Sequence, residues 1–243
     1  VRPENASVIS FVTFKWSKPG YRSTFTATHV NISRHMIERH YQKPHRFICV
    51  TDDPSGLEAG IEHVPLWDDH ANIQNPSWPN GPSCYRRLKV FSDWFGEIAG
   101  DRFVCFDLDM VFTSDLNPLF DRKEDFLIWH TGNPTIPFCA SMFMMTAGKF
   151  AHVWNDFDPA TSPREALQSR MKGSDQAWIA HKLGMKLAGW GANDGVYSYR
   201  DHLCRTFGAK LPKNARAVVF HGKPDPWDYT ALQASPWIFD HYH

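Results

Sequence analysis

The chain lacks most of the features that mark a specialised class. No apolar run approaches the roughly 18 residues that a membrane-spanning helix needs. Charge of neither sign dominates: 26 Lys and Arg stand against 26 Asp and Glu, so nothing suggests a polybasic surface for nucleic acid or anionic lipid. There is no C-x-x-C pair. The five cysteines, Cys49, Cys84, Cys105, Cys139 and Cys204, are scattered and odd in number. That argues against a disulfide framework or a structural zinc and points to a reducing, cytoplasmic setting. Val1-Arg2-Pro3-Glu4-Asn5 does not read as a signal peptide. No repeat, low-complexity stretch or clear linker divides residues 1–243, and a single domain is the simplest organisation. Asn5-Ala6-Ser7 and Asn31-Ile32-Ser33 match the glycosylation sequon, a match short enough to arise by chance.

Hydrophobic and aromatic residues are plentiful, at 42% and 14%, enough to bury a full core. The most informative stretch is Phe103-Val104-Cys105-Phe106-Asp107-Leu108-Asp109. Four apolar residues in a row suit a strand buried on both faces, as in a parallel sheet covered by helices. Two carboxylates spaced i, i+2 then stand where the strand leaves the sheet. Such close acids repel unless something positive sits with them, and Mg²⁺ or Mn²⁺ suits carboxylate oxygens.

The pattern predicts strands at 8–14, 46–51 and 61–65, a helix over about 22–41, and a second helix over 84–95. With the motif strand they give a β-α-β-β-α-β order, favouring a sheet with helices on its faces. Later strands are predicted at 126–129, 141–145 and 216–220, with helices over 147–155 and from Asp175 onward, Ser174 serving as N-cap. Residues 68–83 read as a long ordered loop, which in a compact domain is often functional.

The last predicted strand runs into His221-Gly222-Lys223-Pro224. An imidazole there extends the aspartates to an O, O, N donor set and tilts the metal toward Mn²⁺. Gly222 lets the backbone approach a ligand, and Lys223 offers a charge to phosphate. Together these residues describe a metal–diphosphate site.

An apolar strand into Asp-x-Asp, followed much later by a strand into His-Gly-x-Lys-Pro-like residues, resembles GT-A-type glycosyltransferases. The closest group is family 8, which includes glycogenin and bacterial galactosyltransferases. Tyr85-Arg86-Arg87-Leu88, Asp115-Leu116-Asn117-Pro118-Leu119-Phe120 and Gly173-Ser174-Asp175-Gln176 resemble further family segments. Cys139-Ala140-Ser141 replaces the family's Asn-Ser-Gly, and the His221 segment is shorter than the family's. The resemblance implies an α/β, GT-A-like domain with a mostly parallel sheet and helices on both sides. It implies Asp107, Asp109 and His221 as ligands of Mn²⁺ (or Mg²⁺), and Lys223 on the outer phosphate of a nucleotide-sugar, UDP-linked by preference. Thr13, Phe14, Lys15, Asp52 (or Asp53), Arg87 and Gly222 would hold the donor, and Asp175 and Gln176 would face the transferred sugar, with retention of configuration. The acceptor is left open among a glycan, a lipid-linked sugar, a protein and a modified nucleobase. Its lining is expected from 68–83 and 129–140, with Trp78, Trp129 and Trp190 as stacking candidates. A HAD-type phosphatase with Asp107 as nucleophile and Asp109 as acid/base is the alternative enzyme, and a non-catalytic nucleotide-sugar-binding protein is a third reading.

Overall fold

The structure, a computed structural model, describes residues 8–16, 24–79, 83–207 and 210–243. Residues 17–20 of the first loop, the first two residues of the helix expected at 22–41, the Asn5 sequon and Gly81-Pro82 lie outside the described residues.

The first half follows the predicted order: β1 (Ile9–Lys15), α1 (Ala27–His40), β2 (His45–Thr51) and β3 (Ile61–Pro65). Then come a 3₁₀ helix (Tyr85–Phe91), α2 (Asp93–Ala99), β4 (Arg102–Phe106) and β5 (Met110–Phe112). The helix expected over 84–95 is therefore two helices. They meet at Ser92, whose hydroxyl caps α2 by accepting from Phe95 N at 3.2 Å. The second half contains α3 (Asn117–Phe120), β6 (Phe126–Asn133), β7 (Ile136–Thr146), α4 (His152–Asn155), α5 (Ser162–Glu165) and α6 (Asp175–Leu183). It continues with β8 (Gly189–Trp190), β9 (Val196–Ser198), a π-helical segment (Tyr199–Phe207), β10 (Ala217–Val219), α7 (Tyr229–Ala234) and α8 (Trp237–His241). The helix expected over 147–155 shortens to α4. The segment expected to line an acceptor at 129–140 forms the turn end of the β6–β7 hairpin.

Seven strands form the main sheet in the order β3-β2-β1-β4-β7-β6-β8, and β5-β10-β9 form a smaller one. β3, β2, β1 and β4 are mutually parallel, β7 is antiparallel to both neighbours, and β8 runs parallel to β6. Each apolar run is split by the period-2 alternation of a strand. Val104 and Phe106 enter one core with Phe11, Leu127, Trp129, α1 and the small sheet. Phe103 and Cys105 enter another with Val12, Ile128, the 3₁₀ helix, α2 and α6. Helices thus cover both faces, as the continuous apolar strands require.

The chain order reverses between β1 and β4, and Thr13 lies opposite Phe106 there. In open α/β sheets ligands bind beyond the strand ends at such a switch point. No helix among the described residues is long and apolar enough to cross a membrane.

Candidate active site

Parity along β4 carries past its end. Asp107 continues the series of Phe103 and Cys105, so it faces the side on which the 3₁₀ helix and α6 pack. There it meets Arg87, whose Nη1 lies 3.0 Å from Asp107 Oδ1 and 3.6 Å from Asp175 Oδ2. Arg87 Nη2 donates to the Ala140 carbonyl at 2.7 Å, and the guanidinium stands 5.8 Å from the Phe14 ring centroid. Arg87 and Asp175 are buried, whereas the Asp107 side chain keeps about a third of its surface open. Burial opposes the charge on Arg87, but Asp107 and Asp175 overcome it and hold the guanidinium firmly protonated. Burial raises the pKa of Asp175, Arg87 counters that rise, and Asp107 adds to it.

Asp175 opens α6, where an acid suits the helix dipole, and its Oδ1 accepts from Gln176 N at 2.9 Å. The Gln176 amide is pinned as well: Nε2 donates to the Lys172 carbonyl at 2.5 Å, and Ala140 N donates to Oε1 at 3.4 Å. Ser174 occupies the N-cap position without capping the helix. Its hydroxyl instead accepts from Cys84 N at 2.8 Å, tying α6 to the 3₁₀ helix that carries Arg87.

Asp109 belongs to the other side. The turn after β4 delivers it to the small sheet, where Phe220 N donates to its carbonyl at 3.0 Å. It is 4% exposed. Burial keeps the Tyr242 phenol protonated, and the charges of Asp109 and Asp225 reinforce this. β10 pairs antiparallel with β5 and parallel with β9, which sets Phe220 opposite Asp109 and brings the next residue, His221, against Ser198. His221 Nε2 lies 2.7 Å from Ser198 Oγ and 3.4 Å from Asp201 Oδ2, while Arg200 Nη2 lies 3.1 Å from Nδ1. A guanidinium only donates, so Nδ1 is the accepting side of this contact, and Nε2 faces Ser198 Oγ and Asp201 Oδ2.

In donor type, Asp107, Asp109 and His221 suit Mn²⁺ or Mg²⁺. In arrangement they are closed to it. Asp107 is engaged by Arg87 and His221 by Arg200, and among the described residues no three His, Cys, Asp or Glu side chains form a group able to hold a metal ion.

The expected donor-binding residues lie where predicted along the chain, with several side chains already committed. Thr13 Oγ1 donates to the Phe106 carbonyl at 3.1 Å, and the Phe14 ring packs edge-on against Trp16 and Trp67. Both side chains are core groups rather than open nucleotide contacts. Lys15 is buried at the end of β1, and Asp52 and Asp53 are exposed at the end of β2. Lys223, expected on a phosphate, has its Nζ 2.7 Å from Asp225 Oδ2 and 3.0 Å from Asp228 Oδ2. Gly222 adopts φ +87°, and a Cβ there would stand 2.6 Å from Arg200 Nη1, so the close approach predicted for this glycine is to Arg200.

Two of the three tryptophans expected to stack on an acceptor do not reach the surface. Trp129 and Trp190 are fully buried. Trp129 packs 5.3 Å from the His221 ring, and Trp190 Nε1 donates to the Leu119 carbonyl at 2.9 Å. Trp78 is 59% exposed. Arg200, Ser198 and Asp201 were not legible in advance. Their place beside His221 depends on the β9–β10 pairing, which leaves no local pattern in the chain.

The sheet order, the switch point and the acids at its edge define a GT-A-type fold. The chain matches the crystal structure of the galactosyltransferase LgtC, solved in complex with donor and acceptor sugar analogues, with TM-score 0.57 and 15% identity over 96% of each chain. It matches an active-site variant of LgtC with TM-score 0.57 at 13% identity, again over 96% of each chain. It matches the glycosyltransferase GlyE of Streptococcus pneumoniae TIGR4 with TM-score 0.52 at 12% identity, covering 91% of this chain and 57% of that one. No family model and no curated protein matches. The fold of this chain is therefore that of these glycosyltransferases. The phosphatase alternative needs its motif on the strand that opens the fold, whereas β4 follows three others in the sheet.

Proposed function

We propose that the protein transfers a sugar from a nucleotide-sugar, of the UDP type, to an acceptor hydroxyl with retention of anomeric configuration. The observation that carries this reading is the Arg87–Asp107–Asp175 cluster, with Gln176 beside it, at the switch point of a GT-A-type sheet. The bond from the anomeric carbon to the diphosphate oxygen breaks, and the diphosphate leaves with the electron pair. The acceptor oxygen bonds to that carbon and its proton is released. Cationic groups at the strand ends favour this step because negative charge develops on the leaving diphosphate. Asp175 and Gln176 meet the transferred sugar, and Arg87 orients the buried Asp175 carboxyl group and counters the rise in its pKa that burial causes. A divalent cation belongs to the proposal through donor chemistry alone: Asp107, Asp109 and His221 would hold it only if Arg87 and Arg200 release Asp107 and His221, and it would then supply Lewis-acid charge to the diphosphate.

The test is release of UDP from a panel of UDP-sugars with and without Mn²⁺. Asp175→Asn should lower turnover by at least about 100-fold, the scale of losing one preorganised electrostatic group, with UDP affinity unchanged by calorimetry. NMR of the product anomer reads the stereochemistry. An inverted product that disappears in Asp175→Asn would instead make Asp175 the base of an inverting enzyme. Release of inorganic phosphate from phosphomonoesters, with no turnover of UDP-sugars, would restore the phosphatase reading.

A further inference from the structure

A cleft of about 450 Å³ opens beside the reaction centre, lined by Asn75, Trp78, Leu167, Arg170, Met171 and Lys172 among others. One wall is formed by Asn75, Ser77 and Trp78 and the other by the segment leading into α6. The cleft adjoins Gln176 of the proposed catalytic pair. Its Lys172 carbonyl accepts from Gln176 Nε2, and a Cβ on its Gly173 would stand 2.7 Å from Gln176 Cγ.

Its chemistry is of two kinds. Trp78 and Leu167 present apolar surface to solvent, 59% and 44% exposed. Trp78 stands on a built turn: the buried Asn75 accepts from Ser77 N at 3.0 Å through Oδ1 and from Trp78 N at 3.0 Å through its carbonyl. An indole held out over a cleft is a stacking platform for a sugar ring. The second kind is positive charge. Arg170 and Lys172 form no ion pair among the described residues, and no Asp or Glu lines the cleft. Arg170 also sits at φ +59°, a left-handed backbone that glycine or asparagine adopts more cheaply. That turn projects a cation where backbone preference alone would call for another residue.

We propose that this cleft is the acceptor subsite and that the acceptor is an anionic saccharide: a sugar laid on Trp78, with a phosphate or carboxylate group held by Arg170 and Lys172. The proposal rests on the glycosyl-transfer reading for the word acceptor; the ligand chemistry stands on the cleft alone.

The test is ligand-observed NMR titration of the full chain with methyl glucoside, its 6-phosphate and methyl glucuronide, alongside calorimetry with UDP. Both charged probes should bind at least about tenfold tighter than the neutral parent, and that preference should shrink as salt rises. Tighter binding of the phosphate than of the carboxylate would identify a phosphorylated sugar as the source of the anion, and the reverse order an acidic sugar. The Arg170→Gln/Lys172→Gln double variant should bind all three probes alike, and Trp78→Ala should weaken all three by about tenfold. UDP affinity should be unchanged in both variants. Equal binding of neutral and charged probes, a preference that survives in the double variant, or no binding of the charged probes at about 10 mM would overturn the proposal. Failure of UDP to bind the wild-type protein while the charge preference persists would overturn the donor reading and leave the cleft assignment standing.

Discussion

The Arg87 guanidinium meets two carboxylates through one nitrogen, and burial makes that arrangement consequential. Arg87→Met keeps much of the volume and removes the charge. The expected loss is about 3–5 kcal/mol at neutral pH, the size found on breaking a buried ion pair, and nearer the lower end because Asp107 is partly solvated. Its pH dependence follows from Asp175, whose pKa burial raises above 3.8. The protonated form is the one the fold favours, so its contribution is fully present below that ordinary value and is lost as pH rises through the native one. Without Arg87 the native value rises further. In urea denaturation the variant should therefore fall further behind wild type as pH rises above the ordinary carboxylate range. A pH-independent gap would assign Arg87 to packing alone. Arg200 raises a second question at this scale. Its contact with His221 Nδ1 places a like charge where a divalent cation would come. Arg200→Gln should bind Mn²⁺ about tenfold more tightly by calorimetry, a gain of about 1.4 kcal/mol, and unchanged affinity would place the cation away from His221.

At the scale of elements, the site is held by short strands whose register leaves no slack. Gly189 of β8 pairs with Ile128 of β6, and a Cβ there would lie 1.9 Å from the Ile128 carbonyl oxygen and 2.6 Å from the His130 ring. Two paired strands cannot separate locally to admit it. Gly189→Ala should cost about 1–3 kcal/mol or more, with Tm falling about 2–4 °C per kcal/mol. Gly222→Ala differs in kind. Its Cβ would meet the flexible end of Arg200, so the cost is chiefly the positive φ, about 1–2 kcal/mol. Calorimetric scans of the two variants should therefore show the larger loss for Gly189→Ala, and the reverse ranking would mean that β8 is free to shift.

At the scale of the whole molecule, two cores clamp one sheet, and the acids of Asp107-Leu108-Asp109 are divided between them. Asp107 stands on the side of Arg87 and α6, and Asp109 on the side of the small sheet. A donor diphosphate bridging these sides would tie both cores together. Saturating UDP with Mn²⁺ should then raise Tm by about 5–10 °C, corresponding to about 2.7 kcal/mol at a hundredfold excess over Kd. In Asp109→Ala the part of that rise that depends on Mn²⁺ should vanish while the part due to UDP alone remains. Equal rises in both proteins would contradict a metal role for Asp109.

Apolar periodicity alone marked out the alternation of strands and helices in the first half, the burial of the motif strand on both faces, and the placing of Asp107, Asp175 and His221 at element ends. Those are local consequences of apolar periodicity and of polar residues that stop it. Which polar groups meet emerges only from the packing of the elements. Arg87 finds Asp175 because Ser174 ties α6 to the 3₁₀ helix, and Arg200 finds His221 because β9 pairs with β10. The same packing also decided that Thr13, Trp129 and Trp190 serve the core while Trp78 faces solvent. The physical reason is that an apolar run records its own period but not its partners. Which face a residue meets, and whether a cation there is already paired, depends on pairings between segments far apart in the chain.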